Sequence, residues 1–163
     1  MAVTICLKID GVDGESTIVK HEKSIDVLSW NWGMSQSASA HISTGASSGS
    51  ADVRDLTFTH YIDRASPNLL KNCFLGSNHK SAVLTVMRST GAAGSLAPIV
   101  TMTMSDTVFI SSVHTGDQGD NDRFVETVTL NFATVKFEYT GQDKDNKPIA
   151  AVSTGDLKIA QKA

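Results

Sequence analysis

RFVETVTLNFATVKFEY, residues 123–139, is the longest run of the chain in which apolar and polar residues alternate. Phe124, Val128, Leu130 and Phe132 share one side and Arg123, Thr127, Thr129 and Asn131 the other, the period-two pattern of a half-buried strand. From Ala133 the phase reverses, so that Val135, Phe137 and Tyr139 form the apolar side opposite Thr134, Lys136 and Glu138. Fully extended, the run would span roughly 55 Å at about 3.3 Å per residue, well beyond an ordinary strand. A straight continuous strand is therefore not expected. A bend or bulge near Phe132 and Ala133 is predicted instead, carrying the chain from one face of a closed β structure to another.

The same reversal occurs in SIDVLSWNWGMSQS, where Ile25 and Val27 give way to Leu28, Trp30, Trp32 and Met34 on the opposite parity. Two long strands that both change their buried face fit a barrel or a bent sandwich better than a flat sheet. Further strands are read at Val3–Ile9, at DVRDLTFTHYID with Leu56, Phe58 and His60 on one side, at SAVLTVMRS, and at PIVTMTMSDTVFISSVHTG as one or two strands. A weak last strand lies around Leu157 and Ile159. The single helix signal has Ser66 as cap, Pro67 at the first helical position, Leu69, Leu70, Cys73 and Phe74 as its apolar side, and Gly76 to end it. The expectation is one all-β domain of about eight strands with one short helix. Residues 35–51, SQSASAHISTGASSGSA, are nearly all small and polar, with Ile42 the only large apolar residue. Such a segment cannot bury enough surface to order itself, so it is read as an extended loop, disordered or held by a partner.

Composition narrows the function. The chain has 163 residues, 14 Lys and Arg against 17 Asp and Glu, and a formal net charge of −3. Its basic residues are scattered and never cluster with aromatics, which argues against nucleic acid as a partner. Cys6 and Cys73 form neither a CxxC pair nor a set of metal ligands and read as reduced, buried, small hydrophobes. MAVTICLKIDG lacks the basic and apolar regions of a cleaved signal, and no stretch has the apolar length of a membrane helix. Export, if it occurs, is expected to follow a route that reads the folded state or needs no cleaved signal, with no membrane insertion.

Few residues invite chemistry. Gly45-Ala-Ser47-Ser-Gly49 has the GxSxG spacing of serine hydrolases, but that motif works at a sharp turn from a buried strand into a helix, and here both flanks are Ser, Gly and Ala. His21, His41, His60, His79 and His114 show no HxxxH or HExxH spacing, which leaves no zinc site, and His60 is expected to pack within its strand. Asp117, Asp120 and Asp122 could cage calcium, yet they lack the bidentate Glu of an EF-hand loop and Arg123 follows at once, so a solvated turn is preferred. Trp30 and Trp32 could stack a sugar; in an apolar strand they read as core, with Leu130 and Phe132. No nucleophile, base and orienter assemble. The chain is read as a non-enzyme with no catalytic residue, cofactor or metal, the alternative being a monomeric hydrolase or carbohydrate-binding module using the Ser47 loop or Trp30 and Trp32.

Four segments resemble one family. LKIDGVDGES at 7–16, IDVLSWNWGMSQS at 25–37, LTFTHYIDRASPNLLKNC at 56–73 and VHTGDQGDNDRFVETVTLNFATVKFEY at 113–139 are similar, in order and spacing, to the haemolysin-coregulated protein family, Hcp, the tube subunit of bacterial type VI secretion systems. The resemblance implies a small β-barrel of two sheets with one helix at its side. It also implies homohexameric rings stacked into a tube, fired from the bacterial cytoplasm by a contractile sheath behind a valine-glycine repeat spike, with effector proteins in the lumen. The 35–51 segment falls where the family has an extended loop that packs on a neighbouring subunit, which would make Gln36, Ser39, His41, Ile42, Ser43 and Ser47 contact residues. Asn31, Thr127, Thr129 and Asn131 then become candidates for the lumen or the seam between subunits. The chain departs from the family in its tail, STGDLKIAQKA, which lacks an aromatic residue after Gly155, in a more acidic turn at 116–122, and in a loop at 44–50 richer in serine.

Overall fold

The computed structural model describes residues 3–39, 47–91, 94–118 and 122–159. Among these described residues eleven strands and one helix follow one another as β1 (Val3–Ile9), β2 (Ile25–Asp26), β3 (Ser29–Asn31), β4 (Met34–Ser39), β5 (Ser47–Val53), β6 (Leu56–Tyr61), α1 (Ser66–Leu75), β7 (Asn78–Ser89), β8 (Leu96–Gln118), β9 (Phe124–Tyr139), β10 (Val152–Ser153) and β11 (Leu157–Lys158). Nine strands form one sheet in the order β2-β1-β7-β8-β9-β6-β3, with β10 and β11 added on β9, and β4 and β5 form a separate two-stranded sheet.

The expected barrel is present, and two adjacent backbone amides close it. Val27 N–H donates to Ile5 of β1 (2.9 Å), and the next residue, Leu28, donates to Thr59 of β6 (2.8 Å). The segment from Ile25 to Asn31 thus bonds one end of the sheet and then the other. This corrects the expectation of one long strand from Ile25 to Met34. The chain there breaks into β2, β3 and β4, which pair with β1, β6 and β5 in turn. The reversal of apolar parity at Val27 and Leu28 marks that crossing: Val27 is buried and Leu28 exposed.

The bulge predicted near Phe132 and Ala133 is found opposite them in β8, and the long alternating run itself is one uninterrupted strand, β9, contrary to the expectation that it would not run on continuously. Its buried side still changes. Val128, Leu130 and Phe132 are buried on one parity, Val135 on the other, and Thr134 beside it is buried as well. The irregularity lies across the ladder. Ser105 pairs with Thr134 and Val108 with Phe132, so β8 holds one residue more than β9 over this interval, and Asp106 there has a left-handed φ of 65°. Its carboxylate accepts a hydrogen bond from the Thr134 hydroxyl at 2.6 Å, which satisfies the buried threonine. Register shifts at Ile110/Ser112 and Thr115/Asp117 likewise put the extra residue in β8. These bulges bend and twist the sheet until its ends meet.

Helix α1 has Pro67 in its first turn and ends at Gly76, whose φ of 64° is the left-handed closing conformation. Ser66 is not its cap. It is the first helical residue and buried, and its hydroxyl accepts from the Asp63 N–H, while the Asp63 carboxylate takes the Ala65 N–H (2.9 Å). Leu69 is fully buried against the barrel, but Phe74, expected on the apolar side, is 90% exposed. The core joins Leu7, Ile9 and Ile25 with Leu56, Phe58, Leu84, Met102 and Met104 and with Val128, Leu130, Phe132 and Val135 of β9, whereas Phe124 and Tyr139 at the ends of that strand are exposed.

Candidate functional site

Directly paired residues of neighbouring strands stand on the same face of a sheet. Ser29 pairs with Thr59, Thr59 with Thr127 and Thr127 with His114. Two residues along, Asn31 pairs with Thr57, Thr57 with Thr129 and Thr129 with Ser112. All eight residues are exposed or half-exposed. Two parallel rows of hydroxyl, amide and imidazole groups therefore cross β3, β6, β9 and β8 on the side opposite the core. Asn31, Thr127, Thr129 and Asn131, singled out one by one in the sequence, all lie on this surface. Within it Ser29 and Thr59 share a hydrogen bond of 2.6 Å and Thr57 and Thr129 one of 3.4 Å. The Asp55 carboxylate sits at its edge, accepting from Asn131 Nδ2 (2.8 Å) and Ser111 Oγ (3.2 Å). The face arises because β6 and β9 alternate in phase, so their threonines meet across the ladder just as Leu56 meets Leu130 beneath.

The segment read as an extended loop forms the β4–β5 hairpin, ordered by its own ladder from Met34↔Val53 to Ser39↔Ser47, with a shift at Gln36/Ala38. Cross-strand backbone bonds supply what its small side chains cannot. Gln36 is exposed on β4. Ser39 and Ser47 face each other at the last described pair, and His41, Ile42 and Ser43 lie outside the described residues. At the neck of the hairpin, Arg54 N–H donates to the Gly33 carbonyl (3.0 Å), and the Trp32 indole Nε1–H donates to the Arg54 carbonyl (2.9 Å).

Leu130 and Phe132 are buried, whereas Trp30 and Trp32 are half-buried and pack on the core from its margin. Trp32 stacks on Phe137 (6.1 Å between centroids, 20° between planes) and leans on Phe132 at 6.5 Å. Its ring and its donor are both engaged, which leaves no free platform for a sugar. Ser47 begins a strand rather than a strand-to-helix elbow. Among the described residues no three His, Cys, Asp or Glu side chains converge as metal ligands; Asp120 lies outside them.

Sequence reasoning missed one polar site. His60 and Glu126, paired directly across β6 and β9, are both fully buried and joined Nε2 to Oε1 at 2.9 Å. His60 Nδ1 lies 3.9 Å from Asp63 Oδ1, and Glu126 Oε2 is buried with no hydrogen-bond partner among the described residues. Burial pushes the Asp63 carboxyl above its ordinary value, opposed by the Ala65 N–H and His60. The signal was available: Glu126 stands on the buried parity of the opening run, between Phe124 and Val128.

The chain is similar to known proteins over most of its length. Residues 6–139 match the family described as "Type VI secretion system effector, Hcp". The chain is 44% identical over 145 residues to Protein hcp1 of Pseudomonas aeruginosa, covering 89% of this chain and 88% of that protein. Among solved structures it is similar to one described as a type six secretion system protein, with a TM-score of 0.88, 28% identity and 99% of each chain covered. It is also similar to Hcp1 from Salmonella typhimurium, with a TM-score of 0.73, 32% identity, and 100% and 99% covered.

Proposed function

The chain belongs to the Hcp family and is a secreted structural protein of the type VI secretion tube rather than an enzyme, and from that premise we propose how it assembles and what its surfaces do. Six copies close into a ring, rings stack into a hollow tube, and the polar face of Asn31, Thr127, Thr129 and Asn131 turns toward the bore. The observation that carries this reading is the pair of hydroxyl and amide rows crossing β3, β6, β9 and β8, exposed although they belong to core-forming strands. A wall of neutral hydrogen-bonding groups exchanges its partners with water at little cost, so it can hold an effector protein of either charge and still let it slide. Fixed charges of one sign would select cargo and retain it.

The β4–β5 hairpin supplies contact with a neighbouring subunit, through Gln36 and Ser39 on the outgoing strand and Ser47 on the returning one, together with His41, Ile42 and Ser43 of the same segment. A two-stranded hairpin is marginal alone, which supports covering by a second copy. In a closed ring each subunit offers one surface to one neighbour and a different surface to the other, so an arm and its seat on a single chain satisfy the symmetry. The spike, the contractile sheath and the effectors are its further partners, and the ring forms in the cytoplasm, without a cleaved signal, before the tube is fired.

Light scattering after gel filtration, with negative-stain microscopy, tests the ring: hexamers and stacked rings are expected, and a strict monomer at micromolar concentration overturns it. The bore is tested in a C73S background by T129C. A small maleimide should label Cys at 129 in assembled tubes while a bulky polyethylene-glycol maleimide should not. Equal labelling by both would place this face on the outside.

A further inference from the structure

The hairpin is joined to the barrel by two short connections, Trp32-Gly33 on the way out and Arg54-Asp55 on the way back, and neither of its strands shares a ladder with the barrel sheet. Its angle is therefore set at the neck rather than along its length. Gly33 would be the natural pivot, since it carries no side chain and a Cβ there would meet nothing within 4 Å, and its one backbone tie across the neck is its carbonyl, which accepts from the Arg54 N–H (3.0 Å). What restrains the neck comes from its neighbours. On the outgoing side the Trp32 ring is held by Phe137 and Phe132 of β9, and its Nε1–H reaches over to the Arg54 carbonyl of the returning connection. On the returning side the Asp55 carboxylate is held by Asn131 of β9 and Ser111 of β8.

We propose that Trp32 is a positioning residue for assembly: by stacking on β9 and bonding the Arg54 carbonyl it locks the angle between hairpin and barrel, and so presents the hairpin to a second copy of this chain in one orientation. The inference rests on the reading of the hairpin as the subunit contact. An arm free to swing at Gly33 would lose that freedom on docking, and the lost entropy would weaken each contact in the ring. A neck already locked has met that cost during folding. Six equivalent contacts compound the effect, because every arm must be oriented for the ring to close.

The test uses spin labels on Cys at the exposed positions Gln36 and Lys80 in C73S protein, with labelled subunits diluted into excess unlabelled ones so that only distances within a chain are read. Unsubstituted Trp32 should give one narrow distance distribution, W32L a broad one, and W32F, which keeps an aromatic ring but lacks the donor that crosses the neck, a distribution of intermediate width. Ring formation by W32L should weaken by about tenfold or more while its far-ultraviolet spectrum stays that of the parent. A narrow distribution in W32L, or assembly equal to the parent, overturns the proposal. If W32L does not fold, W32M, which fills the margin of the core without stacking, is read by the same two criteria. A parent protein that forms no rings at any concentration defeats the assembly reading, whereas rings that W32L forms as well as its parent defeat only the role of Trp32.

Discussion

His60 and Glu126 show how one pair of side chains can stand against the pattern around it. Both occupy apolar positions, and each is tolerated because the other is directly across the ladder at 2.9 Å. Replacing Glu126 by Ala leaves a buried imidazole without its partner and is expected to cost about 1–3 kcal/mol in denaturant unfolding at fixed protein concentration. E126Q keeps an acceptor oxygen and should cost less. Cys6 obeys the same rule with one group. Burial, and then the neighbouring Asp26, push its thiol up from 9.0 to about 11. A folded-state pKa above the unfolded one favours the protonated native thiol. Its contribution is complete below 9.0 and declines as pH rises toward 11. In the native protein at pH about 8, a thiol reagent should therefore modify the half-exposed Cys73 and spare Cys6 until the protein is unfolded. The pairing of His60 with Glu126 was legible only as an anomaly, since a carboxylate within an apolar row says that it has a partner without saying which strand brings it.

At the scale of elements, strand β9 is the regular member of its pair and β8 the irregular one. The run 123–139 shows where the buried side changes, near Phe132 to Val135, but not that its neighbour supplies the extra residue. An inserted residue has no period of its own, and Asp106 reads simply as a polar position until its φ of 65° is known. Asp is among the few residues that tolerate this conformation, and here its carboxylate also serves Thr134. D106V combines left-handed strain of about 1–2 kcal/mol with loss of a hydrogen bond worth about 1 kcal/mol, so a destabilisation of roughly 2–3 kcal/mol is expected. D106G, free of the strain, should lose no more than about 1 kcal/mol; equal losses for the two would remove the backbone from the account. Residues 35–51 show the opposite failure. Their composition predicts no self-ordering, yet their backbone closes a ladder, because cross-strand hydrogen bonds do not depend on apolar side chains. Deleting Ser39–Ser50 should abolish rings while the barrel keeps its β-sheet spectrum and cooperative unfolding; rings formed by the deletion variant would refute the hairpin as the assembly arm.

For the whole molecule, alternation along the chain was enough to specify an all-β fold and the polar residues on one side of each strand, while Pro67 and Gly76 were enough to mark helix α1. A strand's side-chain period is fixed by covalent geometry, so which residues share a face is readable before any fold is known. Their gathering into one surface was not readable, because it depends on which strands pair and in what register. Closure likewise depends on two adjacent amides, Val27 and Leu28, bonding opposite ends of one sheet, a contact between segments that local composition cannot connect. The same holds for Trp32, which the sequence presents as one more apolar residue of a strand. Only the fold brings its indole to the Arg54 carbonyl and its ring to Phe137, since those contacts join residues separated along the chain by turns whose geometry no local pattern encodes.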